Sequence, residues 1–170
     1  MKIMATFDGS EFSEEILPLL ERLAALPGAE FVLFSSSEDP EGRRDAEAIA
    51  PAQAVGMTHA SQPMVVEQPE PGTAETKEQA VERRLAQMRD YLIGLAGRLP
   101  AGTPSRALAD MDDDPARAIV RHAEREGVDV IVIATHGRTG MVRALLGSVA
   151  ERVVRAGVAP VLLVRPKAGA

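Results

Sequence analysis

Cysteine and aromatic residues are scarce in this sequence, which has no cysteine, no tryptophan and one tyrosine. Without cysteine the chain forms no disulfide, no thiolate zinc site and no cysteine nucleophile. Aromatic residues make up only 3% of the chain, too few for the stacking platforms of single-stranded nucleic-acid binders. These absences remove several classes of enzyme and binding module from consideration.

Positive charge is also in deficit, with 19 Lys and Arg against 25 Asp and Glu and a net charge of -6. A general nucleic-acid binder needs a basic face to displace counterions from phosphates, so we expect no nucleic-acid partner. No apolar run approaches the roughly 20 residues of a membrane span. Asp8 interrupts the first apolar run before a signal sequence could form. We therefore expect a cytoplasmic protein without a membrane partner.

The remaining composition is that of a globular domain, with 45% hydrophobic and 26% charged residues in a chain of 170. We interpret residues 1–170 as a single domain with a long insertion at about 38–77. The insertion is rich in proline and lacks sustained periodicity, apart from a helical turn predicted near residues 43–49. Stretches of this kind are typical of surface insertions or functional lids.

Apolar runs of strand length alternate with segments of helical spacing. Strands are predicted at residues 3–7, 31–34, 105–109, 128–133 and 161–164, and helices at 14–26, 77–98, 115–126 and 148–156. Asp114 is a predicted N-cap, and Ser148 is predicted to open a capping box that ends at Glu151. The alternation implies an α/β fold: an open, doubly wound, five-stranded parallel sheet with helices on both faces.

Ligands of such sheets bind beyond the carboxyl ends of the strands, near the point where strand order reverses. Three segments follow the predicted strands there: 8–10 (Asp-Gly-Ser), 35–37 (Ser-Ser-Ser) and 134–140 (Ala-Thr-His-Gly-Arg-Thr-Gly). Downstream of the third, Gly147 and Ser148 open a helix, whose N–H groups and dipole favour a phosphate. The same pair also suits a tight turn and an N-cap, and spacing alone leaves both interpretations open.

Alternating aspartates resemble a metal loop but do not complete one. Asp110, Asp112 and Asp114 are spaced as in an EF-hand, yet Pro115 and Arg121 replace the glycine and the final glutamate that calcium requires. We predict a solvated acidic loop there. The histidines show no metal-ligand spacing, so we predict no metal site.

Several segments together resemble the universal stress protein family. They are Ile3–Ser10, Asp114–Ile119, Val128–Gly140, Leu145–Val154 and Ala159–Val164. The resemblance implies the family's five-stranded parallel sheet, of the adenine-nucleotide alpha-hydrolase-like type. It also implies a homodimer that forms through the last strand, Val161–Val164.

ATP-binding members of that family carry Gly, two residues, Gly, nine residues, then Gly followed by Ser or Thr. This chain matches the pattern at Gly137 and Gly147-Ser148, with Ala134 at the position of the first glycine. The resemblance therefore implies an adenine nucleotide, ATP, as ligand, with Mg²⁺ as its candidate companion ion. The implied binding residues are Thr6, Asp8, Ser35, Ile133, Ala134, His136, Gly137, Arg138, Gly140, Gly147, Ser148 and Val149.

Three functions are compatible with this sequence. We expect a nucleotide-binding stress-response protein that acts through conformation or partner contact and is not an enzyme. The alternative is a nucleotide-independent interaction module of the same fold. An enzyme that cleaves the α–β phosphate bond of ATP fits less well, because residues 8–11 (Asp-Gly-Ser-Glu) are not its phosphate loop. We predict that Asp8 orients a ribose hydroxyl and is not a catalytic base.

Overall fold

The computed structural model of this chain describes residues 1–38, 76–135 and 147–165. The predicted insertion at about 38–77, with its helical turn near 43–49, therefore lies almost wholly outside the described residues. The described elements are, in chain order, β1 (Lys2–Phe7), α1 (Glu11–Glu14), α2 (Leu17–Ala24), β2 (Glu30–Ser37), α3 (Lys77–Ala96), β3 (Ser105–Met111), α4 (Pro115–Glu126), β4 (Val130–Ala134), α5 (Ser148–Ala156) and β5 (Val161–Val164).

The strands form one five-stranded sheet in the order β3-β2-β1-β4-β5, and every pair is parallel. In the centre, Ile3 of β1 lies opposite both Phe31 of β2 and Val130 of β4. The chain moves outward from β1 to β3 and then returns to the other side of β1. Strand order thus reverses between β1 and β4, where the fold rules place a ligand.

Each face of the sheet carries its own apolar core, because successive strand residues point to opposite faces. Ile3 and Ala5 belong to the core that includes α2 and α3, whereas Met4 belongs to the core that includes α4 and α5. Ile3, Met4 and Ala5 are all fully buried. Helices on both faces confirm the predicted doubly wound architecture.

α4 is capped at its two ends by the residues predicted from the sequence, Asp114 and Gly127. The Asp114 side chain accepts a hydrogen bond from the Arg117 backbone N–H, and Pro115 occupies the first turn. Gly127 ends the helix with φ +59°, a conformation that favours glycine.

The capping box predicted for α5 is wrong. Its N-cap is Gly147, and Ser148 is already the first helical residue, one position too late to cap. Glu151 instead accepts hydrogen bonds from Arg155 at 3.0 and 2.7 Å. The first turn of α5 therefore begins at a residue that has no side chain to cap it.

Several predicted element boundaries differ in the structure. β3 extends to Met111, beyond the predicted end at 109, and β4 begins at Val130 and not at 128. The serines at 35–37 do not follow β2 but form its last residues, since Ser35 pairs with Ala109 and Ser37 with Met111. Ala134 likewise belongs to β4 and pairs with Val164. Neighbouring parallel strands supply hydrogen-bond partners that extend each strand beyond its apolar run. The helix predicted at 14–26 is divided into α1 and α2.

Candidate functional site

A tight turn presents Asp8 at the carboxyl end of β1. Its Oδ1 atom accepts hydrogen bonds from the Ser10 N–H at 3.0 Å and the Ser10 hydroxyl at 2.5 Å. Gly9 has φ +81°, which lets the chain reverse immediately after the strand. Asp8 is exposed, and these bonds hold its carboxylate in a defined position at the edge of the sheet.

A cleft of about 680 Å³ opens beside Asp8, a volume within the range of small-molecule sites. The predicted residues Asp8 and Ser35 line it, together with Gly9, Ser36, Ser37, Glu38, Ala80, Arg83, Arg84, Gln87, Met88, Tyr91 and Pro115. One wall is therefore α3, which no sequence motif indicated as part of the site. Arg84 reaches across the cleft, since its Nε donates to the Ser37 hydroxyl at 3.4 Å.

Tyr91 is held in the α3 wall by a hydrogen bond to α1. Its hydroxyl donates to Glu14 Oε1 at 3.2 Å, while Arg98 contacts Glu14 Oε2 at 2.6 Å. Burial of the phenol, together with the Glu14 carboxylate, raises the pKa of Tyr91 to about 12. Tyr91 therefore remains a neutral hydrogen-bond donor at physiological pH.

Three predicted residues lie within the strands that flank the switch point. Thr6 is buried, and its hydroxyl donates to the Val132 carbonyl at 3.4 Å, which links β1 to β4. Ile133 is 6% exposed and belongs to the core beneath α4 and α5. Ala134 is half-buried and packs against the opposite core. These residues form the floor at the reversal of strand order.

The first turn of α5 is the predicted phosphate site. Gly147 has φ -59° and ψ 146°, values that any residue can adopt. A Cβ atom at Gly147 would meet no described atom within 4 Å, so packing against the described residues does not require glycine either. The helical ladder starts with the Glu151 N–H, 2.9 Å from the Gly147 carbonyl. Earlier N–H groups, those of Ser148 and Val149 among them, point out of the helix end.

Four predicted residues between β4 and α5 are not part of the described structure. His136, Gly137, Arg138 and Gly140 lie outside the described residues. Their place in the site stays a prediction of the family motif. Ser148 is exposed, and Val149 is half-buried against the core beneath α5.

The prediction of a solvated acidic loop before α4 is wrong. The Asp112 side chain is only 3% exposed and contacts Arg117 Nη2 at 2.5 Å and Arg121 Nη1 at 3.1 Å. The hydrogen bond from Arg117 lowers the pKa of Asp112 below its ordinary value. Arginines one and two turns into α4 fold back over the carboxylates, a contact that strand and helix periodicity does not reveal.

Asp110 and His122 form a second pair in the same ionic cluster. His122 Nε2 lies 2.8 Å from Asp110 Oδ2, and Arg121 contacts the same oxygen. Burial alone would raise the pKa of Asp110, but the hydrogen bonds from His122 and Arg121 outweigh it and lower that pKa. The His122 ring packs on Phe34, with the ring centroids 5.2 Å apart.

The ranges 1–38, 76–135 and 147–165 contain neither a metal-binding cluster nor a membrane-spanning helix. None of their histidines, aspartates and glutamates form a group of three suited to hold a metal ion. In the same ranges, no helix is both long enough and apolar enough to span a membrane.

The universal stress protein family model matches residues 1–165. This chain belongs to the universal stress protein family. A relative from Thermus aquaticus is 33% identical over 138 residues, covering 79% of this chain and 96% of that protein. A universal stress protein of Methanocaldococcus jannaschii is 53% identical over 51 residues, a match that spans 30% of each chain.

Solved universal stress proteins share the fold. A second M. jannaschii protein aligns with a TM-score of 0.68 and 22% identity, over 99% of this chain and 97% of that one. A universal stress protein in complex with cAMP aligns with a TM-score of 0.55 and 17% identity over 98% of both chains. One from Archaeoglobus fulgidus in complex with dAMP aligns with a TM-score of 0.53 and 17% identity, over 95% of this chain and 94% of that one.

Proposed function

We propose that this universal stress protein binds an adenine nucleotide, ATP, across the switch point of its sheet. The observation that carries the proposal is the first turn of α5, where the N-cap is Gly147 and no side chain of the described residues caps the N–H groups of the helix. A helix N-terminus of this kind provides N–H donors and positive potential for a phosphate. We assign the phosphates to Gly147, Ser148 and Val149, with Gly137 of the sequence motif.

The adenosine moiety has its proposed place nearer β1 and β4. Asp8 would orient a ribose hydroxyl, while Ile133 and Ala134 would lie beneath the sugar and base. Ala134 stands where the motif has glycine, but it lies in the extended backbone of β4, where φ is negative and a methyl group causes no strain. The two adenine nucleotides found with structural neighbours, cAMP and dAMP, support a site for the adenosine moiety.

The proposed output is a change of conformation or of partner contact, without turnover of the nucleotide. We further propose that residues 1–170 act as one stress-response domain that pairs with a second copy through β5. β5 is an edge strand, and its Leu162 and Leu163 are 39% and 36% exposed. Pairing would cover an apolar edge that is otherwise an aggregation hazard.

Calorimetric titration with ATP, in the presence and absence of Mg²⁺, tests the nucleotide proposal. We expect wild-type protein to bind ATP and Gly147→Val to lose that binding, because the new side chain occupies the space before α5. The Gly147 backbone suits valine, so the variant should remain folded.

The matched control is Gly94→Val, the same change in α3 outside the cleft, where a Cβ atom also meets no described atom within 4 Å. The control should retain its helix, because valine has a higher helix propensity than glycine, and should retain ATP affinity. No binding by the wild type at millimolar ATP would refute the proposal and favour a nucleotide-independent interaction module.

A further inference from the structure

A two-pronged ion pair joins α5 to the start of α4. Arg152 Nη1 donates to Asp114 Oδ1 at 2.9 Å, and Arg152 Nη2 donates to Asp114 Oδ2 at 2.5 Å. Parallel bonds of this kind define the orientation of both groups and not only their separation. Because the two residues are far apart in sequence, the pair constrains how one helix lies against the other.

The carboxylate of Asp114 has a second function in the same place. Its Oδ1 atom accepts the Arg117 backbone N–H at 3.1 Å and so caps α4. Its own backbone N–H donates to Asp112 Oδ1 at 2.9 Å. The hydrogen bond from Arg152 lowers the pKa of Asp114, so the carboxylate is ionised at neutral pH. The carboxylate of Asp114 thus caps α4 and binds Arg152 of α5 at the same time.

Arg152 lies one helical turn after Ser148, at the i+4 position on the same face of α5. Helical side chains tilt towards the N-terminus, so the Arg152 side chain extends from α5 in the direction of the turn that contains Ser148. The ion pair therefore acts on the part of α5 where the nucleotide phosphates are proposed to lie. The apolar anchors of the helix, Ala150 and Val153, face the core and leave this polar side to Arg152.

We propose that Arg152 and Asp114 are positioning residues for the phosphate-binding turn of α5. The inference rests on the proposed nucleotide binding. Backbone N–H groups stabilise a phosphate only when they are held in the correct orientation, so binding depends on how the helix is docked. The Arg152–Asp114 pair supplies a polar docking point beside the first turn, whereas the core contacts hold the other side of the helix.

The test compares ATP with adenosine, which lacks phosphates, in calorimetric titrations of Arg152→Ala and Asp114→Asn. Asparagine caps helices as well as aspartate does, so Asp114→Asn removes the charge pair and retains the α4 cap. We expect each variant to lose about threefold in ATP affinity, the scale of an exposed ion pair, with adenosine affinity unchanged. A purely structural loss would weaken both ligands together.

The control is Arg155→Ala on the same helix, which breaks the ion pair with Glu151. It should bind ATP and adenosine as the wild type does. The double variant Arg152→Ala/Asp114→Asn should lose no more ATP affinity than either single variant, because both changes break the same contact.

Three results would overturn the inference while leaving the proposed function intact. The first is unchanged ATP affinity in both single variants. The second is an equal loss of ATP and adenosine affinity, which would mean a general structural role. The third is a loss in Arg152→Ala with no loss in Asp114→Asn, which would mean that Arg152 contacts the phosphates directly. Absence of ATP binding by the wild type would refute both proposals together and is distinguishable from these three results.

Discussion

Replacing Asp112 with asparagine should weaken the junction between β3 and α4. Oδ1 of Asp112 accepts from the Asp114 N–H at 2.9 Å and from Arg117 Nη2 at 2.5 Å. Oδ2 lies 3.3 Å from Arg117 Nε and 3.1 Å from Arg121 Nη1. Asparagine can preserve the Oδ1 contacts, but its NH₂ group would then face two guanidinium donors in place of Oδ2.

We expect Asp112→Asn to lower the free energy of unfolding by about 2 kcal/mol, the scale of hydrogen bonds to charged groups. A larger loss is not expected, because Arg117 and Arg121 are 63% and 43% exposed and retain water as a partner. The measurement is urea unfolding at neutral pH. The control is Asp90→Asn on the exposed side of α3, which should change stability by less than about 0.5 kcal/mol.

The pH dependence of this loss has a defined sign. Because the pKa of Asp112 is lowered in the folded state, the ionised carboxylate stabilises the fold at pH values above 3.8, the ordinary pKa of the group. That stabilisation is lost as the pH falls through the lower, folded-state pKa. The difference between wild type and Asp112→Asn should therefore be constant from pH 7 to about 5 and shrink below 3.8. An equal difference at every pH, or none at pH 7, would refute the charge argument.

The remaining predictions concern the cleft, the motif and the edge of the sheet. Tyr91→Phe should lower the free energy of unfolding by about 1 kcal/mol, because it removes the hydrogen bond to Glu14. Since Tyr91 is the one tyrosine, ultraviolet titration of the folded protein should show a phenol pKa raised from 10 to about 12, and ionisation near 10 without unfolding would contradict the contact with Glu14. Ala134→Gly should lower the free energy of unfolding, measured in urea, by about 1 kcal/mol, because glycine loses more conformational freedom when it joins a strand. ATP affinity should be unchanged in calorimetry, and a marked loss would mean that the methyl group contacts the ligand. Leu163→Lys should convert a dimer to a monomer in sedimentation velocity, whereas a monomeric wild type at tens of micromolar would refute the β5 interface.

Local patterns predicted most of the sheet and its helices. β1 and β4 appear in the sequence as apolar runs because both faces of a central parallel strand are buried. The start of α4 could be predicted because Asp114 and Pro115 satisfy the needs of a first turn within a few residues. The capping pattern at Ser148 predicted the wrong N-cap for α5, because serine and glutamate are also common in the first turn of a helix, one residue beyond the cap.

The candidate site was only partly predictable. Asp8 and Gly147 stand next to predicted elements, so the general rule for parallel sheets places them at the same edge. The α3 wall, with Arg84 and Tyr91, carries no such signal, because a helix that reaches across a sheet makes contacts at no fixed sequence distance.

The sequence by itself determined the fold class, the family and the positions of Asp8 and Gly147, since all depend on residues close together along the chain. Only the tertiary structure decided what the charged residues do. The sequence predicts an exposed carboxylate at Asp112, whereas the structure buries it beneath Arg117 and Arg121. The sequence likewise gives no partner for Arg152, which in the structure pairs with Asp114. An ion pair depends on the distance between two side chains, and that distance exists only after the helices have packed on the sheet.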